Sequence, residues 1–219
     1  MTVPHLNPYE ARVLGVLIEK ALTVPDQYPL SLHAATTGSN QKNNRWPVVE
    51  YSEAEVHIAF QGLLAKHLAH RSISAGSRVD KYKHGAQDAL GLDDAHAAIL
   101  AELLMRGPQQ PGELRSRVER MTPGLTAELL MERIARLREK GYVKRIDPLP
   151  GERAERYVQV LCPEAHPLDV VAPVVSRPIA APRLDLEARV LALENEVAAL
   201  RRNLEHVMKE LGAQPLPPA

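Results

Sequence analysis

Gly76-Ser77-Arg78-Val79-Asp80-Lys81-Tyr82 returns 75 positions later as Gly151-Glu152-Arg153-Ala154-Glu155-Arg156-Tyr157, with glycine, arginine, acid, base and tyrosine in the same order. The likeness extends upstream, where Val56, Phe60, Leu63, Lys66 and Arg71 match Leu130, Ile134, Leu137, Lys140 and Arg145 at an offset of 74. One supersecondary unit is written twice, so the chain is read unit by unit.

In the first copy Asn7 stands before Pro8 with Glu10 three residues on. That is the capping box of a helix carrying Val13, Leu14, Leu17, Ile18, Ala21 and Leu22 at helical spacing. A second helix is predicted over 29–38, with Leu32 and Ala35 on one face. Ser52 with Glu55 announces a third, whose inner side is Val56, Ala59, Phe60, Leu63 and Leu64. Two short strands, about 69–75 and 78–83, follow around Ala75-Gly76-Ser77. The second copy repeats this with helices near 93–106, 111–120 and 126–140 and strands over 142–146 and 154–161. Alignment offsets of 86, 82 and 74 along the helices leave the first copy four residues longer between helices one and two, and eight longer between helices two and three.

Three helices followed by a hairpin is the order of a winged helix-turn-helix domain. The fold class expected is α+β, mainly α: two tandem winged helix-turn-helix domains at 1–90 and 91–162, each closing its own aliphatic interior. Aromatic residues are only 4% of the chain, which leaves those interiors to Leu, Val, Ile and Ala. Pro163, Pro167, Pro173, Pro178 and Pro182 mark a linker over 163–183.

Beyond it Leu186, Val190, Leu193, Val197, Leu200, Leu204, Val207 and Leu211 alternate steps of four and three, a heptad pattern over 184–211. With Val190, Val197, Leu204 and Leu211 as a positions and Leu186, Leu193, Leu200 and Val207 as d positions, Arg189 faces Glu194 and Glu196 faces Arg201 of a second copy in a parallel pair. A homodimer through this coiled coil is expected; the alternative is one helix laid back on a winged-helix domain. Gly212 and the prolines of the 212–219 tail end it.

Charge narrows the classes of function. Twenty-seven Lys and Arg against 27 Asp and Glu leave a net charge of zero, so any contact with nucleic acid depends on local patches. Cys162 is the single cysteine, which excludes a disulfide framework. His67 with His70 and Cys162 with His166 lack a second pair at zinc-site spacing. No phosphate-loop, nucleophile-elbow or dinucleotide-binding glycine pattern occurs. The expectation is a cytoplasmic protein with no membrane span, no metal, no cofactor and no enzymatic activity.

The longer loop of the first copy holds Ser39-Asn40-Gln41-Lys42-Asn43-Asn44-Arg45-Trp46-Pro47, and residues 27–49 contain no acid. Asn40, Gln41 and Asn44 offer amide pairs to base edges, Lys42 and Arg45 suit phosphates, and Trp46 could stack. The alternative is a loop folded over its own domain, with amides satisfying backbone and Trp46 plugging the core. On the wings Arg71, Lys81, Lys83, Lys144, Arg145 and Arg156 are candidates for the phosphate backbone. Arg133, Arg136 and Lys140 form a ridge on the second copy's third helix, within pairing distance of Glu128, Glu132 and Glu139.

Five motifs in order carry a likeness: Glu10-Ala11-Arg12-Val13-Leu14, Pro25-Asp26-Gln27-Tyr28-Pro29-Leu30-Ser31-Leu32, Asn40-Gln41-Lys42-Asn43-Asn44-Arg45, Gly76-Ser77-Arg78-Val79, and Arg106-Gly107-Pro108-Gln109 with Pro111-Gly112-Glu113-Leu114-Arg115. Over about 5–162 the chain resembles the YceH-like family of uncharacterised bacterial proteins. The resemblance implies a tandem winged-helix fold and no established activity. The leading expectation is binding of double-stranded DNA, as a transcriptional regulator or architectural factor, through the wings and the third helix of the first copy. The alternative is a module that docks partner proteins without DNA.

Overall fold

A computed structural model of the chain describes residues 3–72, 79–148, 154–167 and Val197. The fold is α+β and mainly helical. Helix α1 (Pro8–Thr23) starts as its sequence dictates: the Asn7 side chain accepts from the Glu10 N–H, and the Glu10 carboxylate accepts from the Asn7 N–H, each at 2.9 Å. After a single turn at Pro25–Gln27 come β1 (Leu30–Ser31), α2 (Leu32–Ser39) and α3 (Glu53–Ala65), the last capped by Ser52 with Glu55. Strands β2 (Ala69–Ser72) and β3 (Lys81–His84) form a hairpin, and β1 pairs with β3, giving the order β1-β3-β2.

Helix α4 (Ala86–Leu90), absent from the sequence expectation, leads to α5 (Asp94–Arg106), α6 (Pro111–Val118) and α7 (Ala127–Glu139). Asp93 and Thr126 cap α5 and α7 through their side chains. Strands β4 (Val143–Ile146) and β5 (Arg156–Gln159) form the second hairpin, before a last turn at Pro163–Ala165.

The repeat is visible bond by bond. The Leu68 N–H donates to the Leu63 carbonyl at 2.8 Å, and the Tyr142 N–H to the Leu137 carbonyl at 2.9 Å. The intervening residue in each copy, His67 or Gly141, takes a positive φ of 57° or 77° to close the helix end. Leu30 of β1 pairs with Tyr82, and the isolated bridge from Gln109 falls on Tyr157, the matching tyrosine. Each hairpin carries the same ion pair: Arg71 with Asp80 at 3.5 Å and Arg145 with Glu155 at 2.9 Å.

The interior corrects one expectation. The copies do not close separate cores: the buried residues from Leu6 to Cys162 form one continuous cluster. Its centre is α1 lying along α5. Every residue from Ala11 to Glu19 is buried, as is every residue from Ala97 to Met105. A helix apolar on all sides must be covered on all sides, which one three-helix unit cannot do. Gly15 permits the approach, since a Cβ there would stand 2.7 Å from Met105 Cγ and 3.3 Å from the Ala101 carbonyl oxygen.

The chain divides into two units, Met1–Ala172 and Pro173–Ala219. In the second only Val197 is described, helical and half exposed. The heptad positions Leu186, Val190, Leu193, Leu200, Leu204, Val207 and Leu211 lie outside the described residues, as do linker residues 168–183, Arg78 and Arg153. Among the described residues no helix is long and apolar enough to cross a membrane.

Candidate nucleic-acid interface

The asparagine-rich loop faces inward. Arg45 is 5% exposed. Its guanidinium donates to Glu19 Oε2 at 2.5 Å, to the Gly38 carbonyl at 2.9 Å and to Gln41 Oε1 at 3.0 Å. Asn40 both donates to the Tyr51 carbonyl and accepts from the Tyr51 N–H at 2.8 Å. Asn44 accepts from Arg106 at 2.9 Å. The Trp46 N–H donates to the Met105 carbonyl at 2.9 Å, and its ring stacks on His166 with centroids 5.6 Å apart. Only Lys42 and Asn43 of this candidate stretch combine an exposed position with no such intramolecular duty.

What turns Arg45 inward is a buried acid that sequence reading passed over. Glu19 follows Leu17 and Ile18 on α1, 1% exposed, and an uncompensated carboxylate there would be prohibitively unstable. Burial alone pushes the Glu19 carboxyl up, but the hydrogen bond and charge of Arg45, joined by Arg120, hold it below the usual carboxylate range. Arg120 donates to Glu19 and, at 3.3 Å, to Glu102 on α5. Glu102 is fully buried; burial pushes its carboxyl above the usual range against the pull of Arg106, Arg120 and Arg117. This chain of charges crosses from α1 and the α2–α3 loop to α5 and the α6–α7 connection, so it ties the two copies together. The readable signal was a charged residue inside each of two apolar helices.

His166 closes the same seam. Its Nε2–H donates to the Trp46 carbonyl at 2.8 Å, and burial lowers its pKa to about 4. Cys162 is fully buried and burial pushes its thiol up to about 11, which leaves it an unreactive core residue. Among the described residues no cluster of three or more His, Cys, Asp or Glu could hold a metal ion.

The outward surfaces of the copies differ. Helix α3 contains no Lys or Arg; its exposed residues are Glu53, Ala54, His57, Ile58, Gln61 and Ala65. On α7 the predicted ridge is engaged: Arg133 pairs with Asp93 at 3.3 Å, Arg136 with Glu139 at 3.2 Å, and Lys140 donates to the Leu90 carbonyl at 3.4 Å. Arg138, not singled out by the helical spacing, is exposed on α7 beside β4.

On the two hairpins, Arg71 and Arg145 are exposed but paired as above. Lys83 and Lys144 are exposed, Lys81 and Arg156 half-buried. The strand register opposes Lys81 to Ser72 and Lys83 to His70 in the first hairpin, and Lys144 to Val158 and Arg156 to Ile146 in the second. No acid therefore stands directly across from any of the four.

Comparison with known proteins places these features in a family. Residues 6–152 match the model of DUF480, a protein family of unknown function. The chain is 41% identical over 216 residues to a UPF0502 protein of Hahella chejuensis, covering 92% of this chain and 96% of that one. It is 42% identical over 217 residues to a UPF0502 protein of Citrobacter koseri, covering 95% and 98%. With the UPF0502 protein YceH of Escherichia fergusonii it shares 39% over 215 residues, again 95% and 98%. The likeness read from the five motifs is borne out.

Proposed function

The chain belongs to the DUF480 family of proteins of unknown function, and from that premise we propose that it is a tandem winged-helix protein that binds double-stranded DNA, as a regulator or architectural factor. One observation carries the reading. In each of the two matching hairpins the acid of the repeated heptapeptide, Asp80 or Glu155, is paired with an arginine, and an exposed lysine stands on a strand, Lys83 on β3 and Lys144 on β4. Local cation excess on repeated wings is what a chain of zero net charge needs to hold a phosphate backbone. The buried charge chain supports the same reading by holding both wings on one body.

The test is anisotropy of a labelled mixed-sequence duplex titrated with the full chain. Binding is expected near 50 mM salt, with log affinity falling linearly against log salt by roughly 0.9 per phosphate neutralised. Replacing Lys81 and Lys83 by Ala weakens it with little dependence on sequence. No binding at low salt contradicts the proposal. A second reading, a protein-docking module, is favoured by α3, where Ile58 is 60% exposed and no cation stands on the helix.

The heptad segment pairs two chains. Light scattering gives twice the chain mass for the full protein and one chain mass after removal of 184–219; the same chain number for both removes this part of the proposal.

A further inference from the structure

Between α7 and β4 runs an open groove of about 750 Å³, lined by Ala135, Arg138, Glu139, Val143, Lys144 and Arg145. Glu139 is held by Arg136 at 3.2 Å and Arg145 by Glu155 at 2.9 Å. Arg138 and Lys144 form no ion pair among the described residues. The matching hydrogen bonds of the two copies fix the counterparts of these six positions as Gln61, Leu64, Ala65, Ala69, His70 and Arg71. There Arg71 is the lone fixed cation, and it is engaged by Asp80 at 3.5 Å. One backbone frame carries a cationic groove in the second copy, while the matching positions of the first hold Gln, Leu, Ala and His beside one paired arginine.

We infer that the groove between α7 and β4 seats backbone phosphates of double-stranded DNA, and that the matching face between α3 and β2 seats none. The inference rests on the DNA-binding reading, in which hairpin lysines of both copies touch the backbone, and adds which junction of helix and hairpin seats phosphates. A guanidinium takes a phosphate bidentately and an ammonium acts as a point charge beside it. Both stand on regular elements, so little ordering is required on binding. The C-terminal end of α7 opposes an anion with a partial charge of about half a unit, which two unpaired cations outweigh.

The experiment titrates a labelled duplex of about 20 bp with the full chain, with Arg138→Ala/Lys144→Ala, and with Gln61→Ala/His70→Ala, across a salt series. Expected is about tenfold weaker binding for Arg138→Ala/Lys144→Ala and a salt slope smaller by about two, with Gln61→Ala/His70→Ala within about twofold of wild type. Arg138→Lys/Lys144→Arg keeps the charge and restores binding, which separates loss of cations from loss of fold. Wild-type binding with an unchanged slope for Arg138→Ala/Lys144→Ala overturns this inference alone. Absence of wild-type binding overturns the DNA reading and this inference with it.

Discussion

Where the first copy has Ala69, Leu64 and His70 at the junction of its third helix and hairpin, the second has Val143, Arg138 and Lys144 at the same backbone positions. The loops differ in length but converge in use. The first copy's long loop folds Arg45 onto Glu19, and the short connection of the second sends Arg120 to the same carboxylate. Duplication has kept caps, helix ends and strand pairing, which are backbone matters, and has let side chains diverge at the surface and at the seam. The seam makes the two copies one body, and the surface makes them unequal.

Breaking the seam has the largest expected effect. Glu19→Ala leaves Arg45 enclosed without its carboxylate and removes one partner of Arg120, so a loss of about 3–5 kcal/mol in urea denaturation is expected. Because the core is continuous, the loss is read as one shifted transition. Two separate transitions, one unmoved, contradict the shared body.

Acid opens the seam from the His166 side. Its pKa is about 4 in the folded chain against an ordinary 6.5, so the unfolded chain binds the extra proton between those values. Its contribution is complete above pH 6.5, falls as pH drops toward 4, and amounts to about 3 kcal/mol at most. His166→Phe flattens that part of a stability profile; an unchanged profile assigns the acid sensitivity elsewhere. Arg12, buried nearby with its own pKa lowered to about 10 by burial and Arg45, adds repulsion once His166 is charged.

Overfilling the helix contact comes next. Gly15→Val forces Met105 and the Ala101 carbonyl aside, with about 1–3 kcal/mol lost in thermal or urea unfolding. Smallest is the hairpin pair: Glu155→Gln leaves stability within about 0.5 kcal/mol, since Arg145 is half exposed. The same change raises duplex affinity by freeing Arg145, and weaker binding would argue that the pair orders the wing.

Much of this was legible because it is local. Asn7 with Glu10, Ser52 with Glu55, Asp93 and Thr126 begin helices where the sequence places them, since a cap needs only its next few residues. β1 and α4 escaped notice because two-residue and five-residue elements lean on partners distant in sequence, Tyr82 for β1 and, for α4, Lys140 and Tyr142, which donate to the Leu90 carbonyl. The loop around Arg45 could be read either as facing nucleic acid or as folded over its own domain, because residues 27–49 hold no acid; the deciding partner, Glu19, lies 26 residues away. The ridge of Arg133, Arg136 and Lys140 and its pairing with Glu139 followed helical spacing, but spacing does not show that Asp93 and the Leu90 carbonyl engage it. Arg138 emerges only once β4 is folded beside α7.

Hydrogen exchange of the full chain, with and without a labelled duplex at low salt, tests the inequality of the copies most directly. Slowed exchange in peptides spanning 135–147, with those of α3 unchanged, is the result predicted. Protection centred on α3 around Ile58, with 135–147 unaffected, would contradict it.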